Sequence, residues 1–182
     1  VELTFCGGEA EALAALANKV LTKYANEPKD ELRINFCIDP IVKGLSVEGT
    51  LSEDAFETIA KLAKATADYK RVKVVNVSGA TFSNAGSTIV EELAFTLSAA
   101  HEYLVKLMER GLSIDEVARK IRFTFAVTAN YFLEMAKFRA ARMLWANIVK
   151  AYGPAKDCSC KMVAHAVTST WNQTVYDPYV NM

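Results

Sequence analysis

Few side chains in this sequence combine a chemically useful type with a useful position. The best-placed carboxylate is Asp39, which ends the apolar segment Ile34–Ile38 and precedes Pro40. An acid there could move a proton, but Asp beside Pro also makes an Asx-turn or a helix cap, and that is the simpler reading. His165 falls within another apolar segment, Met162–Val167, where a single histidine is by default a hydrogen-bonded core group. Trp171 follows it, close to Tyr176, Pro178 and Tyr179; it either packs with them or stacks on a ligand at a cavity mouth. Cofactor-binding residues stay unassigned, with His165 and Trp171 as the candidates. Ser169 and Thr170 have no His and Asp arranged to activate a hydroxyl, so no catalytic residue is assigned. Gly7-Gly8 could bring backbone N–H groups to a phosphate, but without the spacing of a nucleotide loop it reads as a tight turn.

The sulfur chemistry is equally sparse. Cys6 and Cys37 lie in apolar segments, where a free thiol behaves as a small hydrophobe. Cys158 and Cys160 sit in a polar loop with no second pair at zinc-site spacing, and the two histidines, His101 and His165, are scattered. Reduced thiols, no metal and a cytoplasmic setting are expected.

The 182 residues suffice for one domain with a real core, and 52% of them are apolar. Lysine plus arginine equals aspartate plus glutamate, 21 of each, which argues against a nucleic-acid or anionic-membrane partner. No apolar run approaches the ~20 residues of a membrane helix.

The elements that must position these residues repeat one unit. Five short apolar segments read as buried strands: Leu3–Cys6, Ile34–Ile38, Val72–Val77, Ile121–Val127 and Met162–Val167. Helical periodicity fills the gaps. Leu13, Leu16, Val20 and Tyr24 mark a first helix over Glu9–Tyr24; Phe56, Ile59, Leu62 and Ala63 mark a second over Leu51–Tyr69. A third spans Ile89–Glu109, with Leu93, Leu97, Leu104 and Met108 inward, and a short one covers Ile114–Lys120. The last, Asn130–Tyr152, aligns Leu133, Ala136, Ala140, Leu144 and Ile148 in one row. Thr50/Glu53, Thr88/Glu91 and Ser113/Glu116 fit the capping box, and Gly111 and Gly153 fall at helix ends. No linker or composition break divides the chain.

Alternating strands and helices with near-continuous apolar strands imply a parallel sheet buried on both faces. An open doubly wound sheet and part of a (βα)8 barrel both fit; five strands are too few for a whole barrel of ~250 residues. The pattern alone favours the open sheet. Either way function gathers at the C-terminal strand ends.

Three motifs reverse that preference. Phe123–Ala146, FTFAVTANYFLEMAKFRAARMLWA, resembles the methylmalonyl-CoA mutase pattern F-A-x-x-x-x-F-x-E-I-A-K-x-R-A-A-R-x-L-W-A. Asn84–Thr88 with Glu91–Phe95 resembles its A-G-A-T-x-x-x-E-L-A-[FY] segment, and His165–Pro178 resembles its H-x-x-T-S-x-W-x-x-T-x-x-D-P segment. The resemblance implies a partial (βα)8 TIM barrel of about five parallel strands, part of a longer subunit and lacking the separate domain that holds cobalamin through a histidine. It further implies coenzyme A along the barrel axis and adenosylcobalamin-dependent isomerisation of methylmalonyl-CoA and succinyl-CoA in the parent complex. No cofactor is expected on this chain itself.

The sequence departs from the catalytic pattern at the strand ends. Ala80 and Thr81 stand where catalytic members carry Tyr-His, Val167 stands for Gln, and Cys37 and Ile38 stand for Gln and Asn. A substrate-binding Arg expected near Val47 is missing, with no Arg from Ile34 to Tyr69. The chain thus resembles the small, non-catalytic subunit, whose partner is the large catalytic subunit; a divergent catalytic mutase and a structural domain are the alternatives. In the motif helix, Arg139 and Arg142 are expected to be solvated or paired with Glu134 and Asp residues, and Trp145 to be core. Uncovered sheet edges and apolar helix faces predict self-association, or a sheet edge covered by the chain's own terminal segments.

Overall fold

A computed structural model describes residues 2–6, 10–24, 28–29, 31–45 and 53–181. Gly7-Gly8, Val47 and the Thr50 half of the first capping box lie outside them. Strand β1 is Glu2–Phe5, followed by α1 (Ala10–Lys23) and β2 (Arg33–Ile38). A short α2 (Pro40–Lys43) precedes α3 (Glu53–Ala65) and β3 (Lys73–Ser78). Then come α4 (Gly79–Asn84), α5 (Ile89–Glu109), α6 (Ile114–Lys120), β4 (Ile121–Val127), α7 (Tyr131–Ala151) and β5 (Ala164–Thr168).

The five strands pair in sequence order, every pair parallel, and form a half barrel with helices. This is the partial α/β barrel that the motifs imply, and not the open doubly wound sheet that periodicity alone favours. A register shift in β2 between Asn35 and Ile38 interrupts its ladder with β3.

The strand sequences explain which face is dry. Ile34, Phe36 and Ile38, Val75 and Val77, and Ile121, Phe123 and Phe125 are buried at 2% exposure or less. Aromatic contacts carry this layer onto the helices: Phe123 meets Trp145 edge-on at 4.9 Å, and Phe125 meets Phe138 at 5.6 Å. The other face departs from the expectation of strands apolar on both sides. It carries Thr4, Asn35, Asn76, Arg122 and Thr124, which bond to one another across the strands. The polar residues alternate with apolar ones within each strand, so this lumen is written in the period of two.

Helix ends follow their chemistry. Thr88 with Glu91 and Ser113 with Glu116 form complete capping boxes. Gly111 and Gly153 follow α5 and α7 with φ of 81° and 65°, a conformation that a side chain disfavours. The predicted stripe of α3 is buried as expected.

The predicted row of α7 is not the buried one. Leu133 is 58% and Leu144 40% exposed, while Glu134, Lys137, Ala141, Trp145 and Val149 face inward. The reason is electrostatic: two charged residues sit at the start of the inward face, paired there, and they rotate the apolar row away from the sheet.

Two short helices occupy what the sequence reads as loops. In α2, Pro40 sits in the first turn, where its missing N–H costs nothing, and Asp39 caps it. In α4 the chain turns directly from β3 into a helix beside the lumen.

Candidate functional site

All five strands contribute to a groove of about 720 Å³ on the concave face. Thr4 and Cys6 come from β1 and its end, Cys37 and Asp39 from β2, and Asn76 and Ser78 from β3. Arg122 and Thr124 come from β4, His165 and Val167 from β5, and Ala80, Thr81 and Asn84 from α4. A concave polar site at strand ends is where a parallel barrel places ligand-handling groups.

Asp39 is the organising carboxylate. Its Oδ1 accepts from the Val42 N–H at 3.2 Å and from the Tyr103 hydroxyl at 2.8 Å; its Oδ2 accepts from the Ser78 N–H at 2.8 Å. Tyr103 in turn accepts from the Ile41 N–H at 3.1 Å. One residue thus ties the ends of β2 and β3 to α2 and α5. Burial lifts its carboxyl to about 6, against the pull of these three donors. The cap reading of Asp39 holds, with a cross-strand clamp added that spacing alone does not reveal.

His165 lies on the exposed wall of the groove, in register with Thr124. Trp171 lies apart from the groove lining: it is 67% exposed, and its indole N–H donates to the Asn84 carbonyl at 3.1 Å. Asn84 also accepts from the Thr170 N–H at 3.0 Å, so the segment after β5 is fastened to the end of α4. Among the departures from the catalytic pattern, Cys37, Ala80, Thr81 and Val167 line the groove, whereas Ile38 is buried at 2% exposure.

A buried charge network that the sequence reading did not assemble fixes the C-terminal end of β4. Lys137 contacts Glu92 at 2.7 Å and Glu134 at 2.6 Å, the second as an ion pair and not as an aligned hydrogen bond. Lys137 also donates to the Ala126 carbonyl at 2.6 Å, and Glu92 accepts the Ala126 N–H at 2.9 Å. Glu134 accepts from the Thr128 hydroxyl at 2.7 Å and from its N–H at 3.2 Å. Glu134 is therefore not the surface partner of Arg139 or Arg142, both of which are exposed. The Glu134/Lys137 spacing of three was the available signal.

The N-terminal end of the sheet is closed by lysines. Lys120 donates to the Thr66 and Tyr69 carbonyls at 2.6 and 2.9 Å, and Lys73 donates to the Arg119 carbonyl. Burial lowers the Lys120 ammonium to about 7 and that of Lys73 to about 8. With the folded values below the unfolded one, the unfolded chain binds more protons above about pH 7, so stability rises with pH there. The Cys37 thiol, raised to about 12, and Tyr103, raised well above its ordinary value, oppose the rise from about pH 9 upward. Urea unfolding should therefore show greater stability at about pH 8.5 than at about pH 7, and Lys120→Met should flatten the slope. A flat or falling wild-type profile would sink this account.

No group of three metal-ligating side chains occurs among the described residues, and no helix there is long and apolar enough to cross a membrane.

The five parallel strands and their helices define a partial α/β barrel with a polar groove on its concave face. The family model described as "Methylmalonyl-CoA mutase" matches residues 13–182. The chain is 37% identical to the methylmalonyl-CoA mutase small subunit of Porphyromonas gingivalis over all of its own length and 30% of that protein. It is 33% identical to the human mitochondrial methylmalonyl-CoA mutase, over 93% of the chain and 23% of that enzyme. The Porphyromonas gingivalis large subunit is 38% identical over 59% of the chain and 15% of that subunit. The chain thus spans less than a third of the length of each of these relatives. It belongs to the methylmalonyl-CoA mutase family.

Proposed function

We propose that residues 1–182 form one partial (βα)8 barrel domain of a longer small subunit, which supports a large catalytic mutase subunit without carrying out the chemistry. The observation behind this reading is the composition of the groove. Cys37, Ala80, Thr81 and Val167 stand where the catalytic pattern calls for Gln, Tyr, His and Gln. A radical rearrangement needs its substrate held by fixed polar groups away from water. Ala80 and Val167 offer no hydrogen bond there, and Cys37 and Thr81 offer only a thiol and a hydroxyl that is shared with Ser78 at 2.9 Å. The match to a small subunit along the whole of this chain, though over only 30% of that protein, supports the same reading.

In this reading the complex is a cytoplasmic isomerase of propionate metabolism that takes an acyl-CoA and depends on adenosylcobalamin, which supplies the radical on homolysis of its cobalt–carbon bond. The chain's own histidines do not fit the ligand expected beneath cobalt. His101 is bound to the Tyr152 hydroxyl at 2.6 Å, against α7, and His165 stands within the groove wall. The cofactor is accordingly given to another domain or subunit, with His165 and Trp171 as the candidates to face it. The exposed β5 and outer α7 residues, Phe132 at 78% and Met143 at 62% among them, favour association with the large subunit or with a second copy.

A divergent mutase is the second reading, favoured by the polar lumen, where Arg122 is 6% exposed and reaches Thr4 at 3.4 Å. One experiment separates the two. The full-length parent is assayed for turnover of methylmalonyl-CoA with adenosylcobalamin, alone and with its large subunit, with sedimentation reporting complex formation. No turnover alone and turnover in the mixture is the expected result. Activity of the small subunit by itself would overturn the first reading.

A further inference from the structure

We infer that Cys6 and Cys37 form a redox-reactive dithiol at the groove mouth, closing to a reversible disulfide between β1 and β2. The register pairs Phe5 with Phe36, so Cys6 and Cys37 occupy the next facing positions of these parallel strands. Facing residues on neighbouring strands lie about 4.8 Å apart, inside the Cα separation that a disulfide spans. Both side chains line the same groove, so they point to one side of the sheet. Cys6 is also close enough to Cys37 to help raise its thiol.

The two sulfurs differ in a useful way. Cys6 is exposed and open to a small oxidant, while Cys37 is half-buried behind it, its proton held by burial and by Cys6. The chemistry therefore runs from Cys6 to Cys37. With a peroxide as oxidant, the Cys6 thiolate attacks one oxygen, the O–O bond breaks, and Cys6 becomes a sulfenic acid as the first water leaves. Cys37 sulfur then displaces the sulfenic oxygen, which departs with the Cys37 proton as the second water. The sulfur pair loses two electrons and the peroxide gains them. A small thiol returns the pair to the reduced form by exchange.

The remaining cysteines do not share this arrangement. Cys160 is buried and Cys158 exposed, separated by one residue within a 3-10 turn, Asp157–Cys160.

The test uses the full-length chain carrying Cys158→Ser and Cys160→Ser, which leaves both proposed thiols intact. After treatment with hydrogen peroxide, intact mass should fall by two hydrogens, and a non-reducing digest should yield one peptide pair linked through Cys6 and Cys37. Dithiothreitol should restore the starting mass. Adding Cys37→Ser should replace the cross-link by oxygen adducts on Cys6. A Cys6 sulfinic acid with Cys37 left free, a cross-link between two chains, or no change in mass would each overturn the inference.

Discussion

Replacing Lys137 with methionine should cost about 3–5 kcal/mol of folding stability, among the largest losses available to a single substitution in this chain. Lys137 is 2% exposed and stands between Glu92 and Glu134, themselves 1% and 3% exposed. Removing the ammonium leaves two carboxylates facing each other without a cation and leaves the Ala126 carbonyl without its side-chain donor. Methionine fills most of the space, so the loss is electrostatic and not a cavity effect. Glu92→Gln should cost less, because an amide oxygen can still accept the Ala126 N–H. Urea denaturation of both variants checks the order. A loss under about 1 kcal/mol for Lys137→Met would mean that water reaches the site and replaces the ammonium.

A buried ion network can often be exchanged for apolar residues at little cost. Here that exchange is blocked by the backbone. Glu92 and Glu134 accept the N–H groups of Ala126 and Thr128, where β4 ends and no ladder partner serves them from this side. Methionines throughout would orphan those donors. The network is best understood as the device that terminates β4, and α7 turns its leucines outward to make room for it.

This is also where the sequence was least legible. The strand segments, the helices over Ile89–Glu109 and Ile114–Lys120, and the caps at Thr88 and Ser113 could be read directly, since each depends on local spacing, whereas strand order could not. The α7 face could not: an apolar-periodicity argument gives charged residues to solvent, and Glu134 and Lys137 look like an ordinary surface pair until Glu92, 45 residues before Lys137, joins them. The groove was half legible. Asp39 and His165 drew notice as isolated polar residues, but Asn35, Asn76, Arg122 and Thr124 were absorbed into strands judged apolar by their average. Their alternation with Phe, Val and Ile was the signal, and it distinguishes a barrel with a wet lumen from an open sheet covered on both faces. Tyr103 could not be connected to Asp39 at all, because the contact joins α5 to a strand end 64 positions away.

Gly79→Ala should lower stability by roughly 1–3 kcal/mol, although alanine is the better helix former. Gly79 opens α4 with no positive φ, so the backbone would accept a side chain; space is what forbids it. A Cβ there would lie 2.5 Å from Thr96 Oγ1, 3.1 Å from Phe125 Cδ1 and 3.2 Å from the Thr124 carbonyl. None of these can yield cheaply. Thr96 is fully buried with its hydroxyl held by the Glu92 carbonyl at 2.6 Å, and Phe125 is wedged against Phe138. The clash therefore falls on α4, and α4 carries Ala80, Thr81 and Asn84 into the groove while Asn84 holds Thr170 and Trp171. A double-mutant cycle separates steric cause from any other. With Thr96→Ala the 2.5 Å contact disappears, so Gly79→Ala should cost at least about 1 kcal/mol less in that background. Additive losses in the cycle would move the blame to Phe125 and the β4 backbone. A neutral Gly79→Ala would mean that α4 can lift from the sheet, and the groove mouth would then be adjustable where this packing makes it fixed.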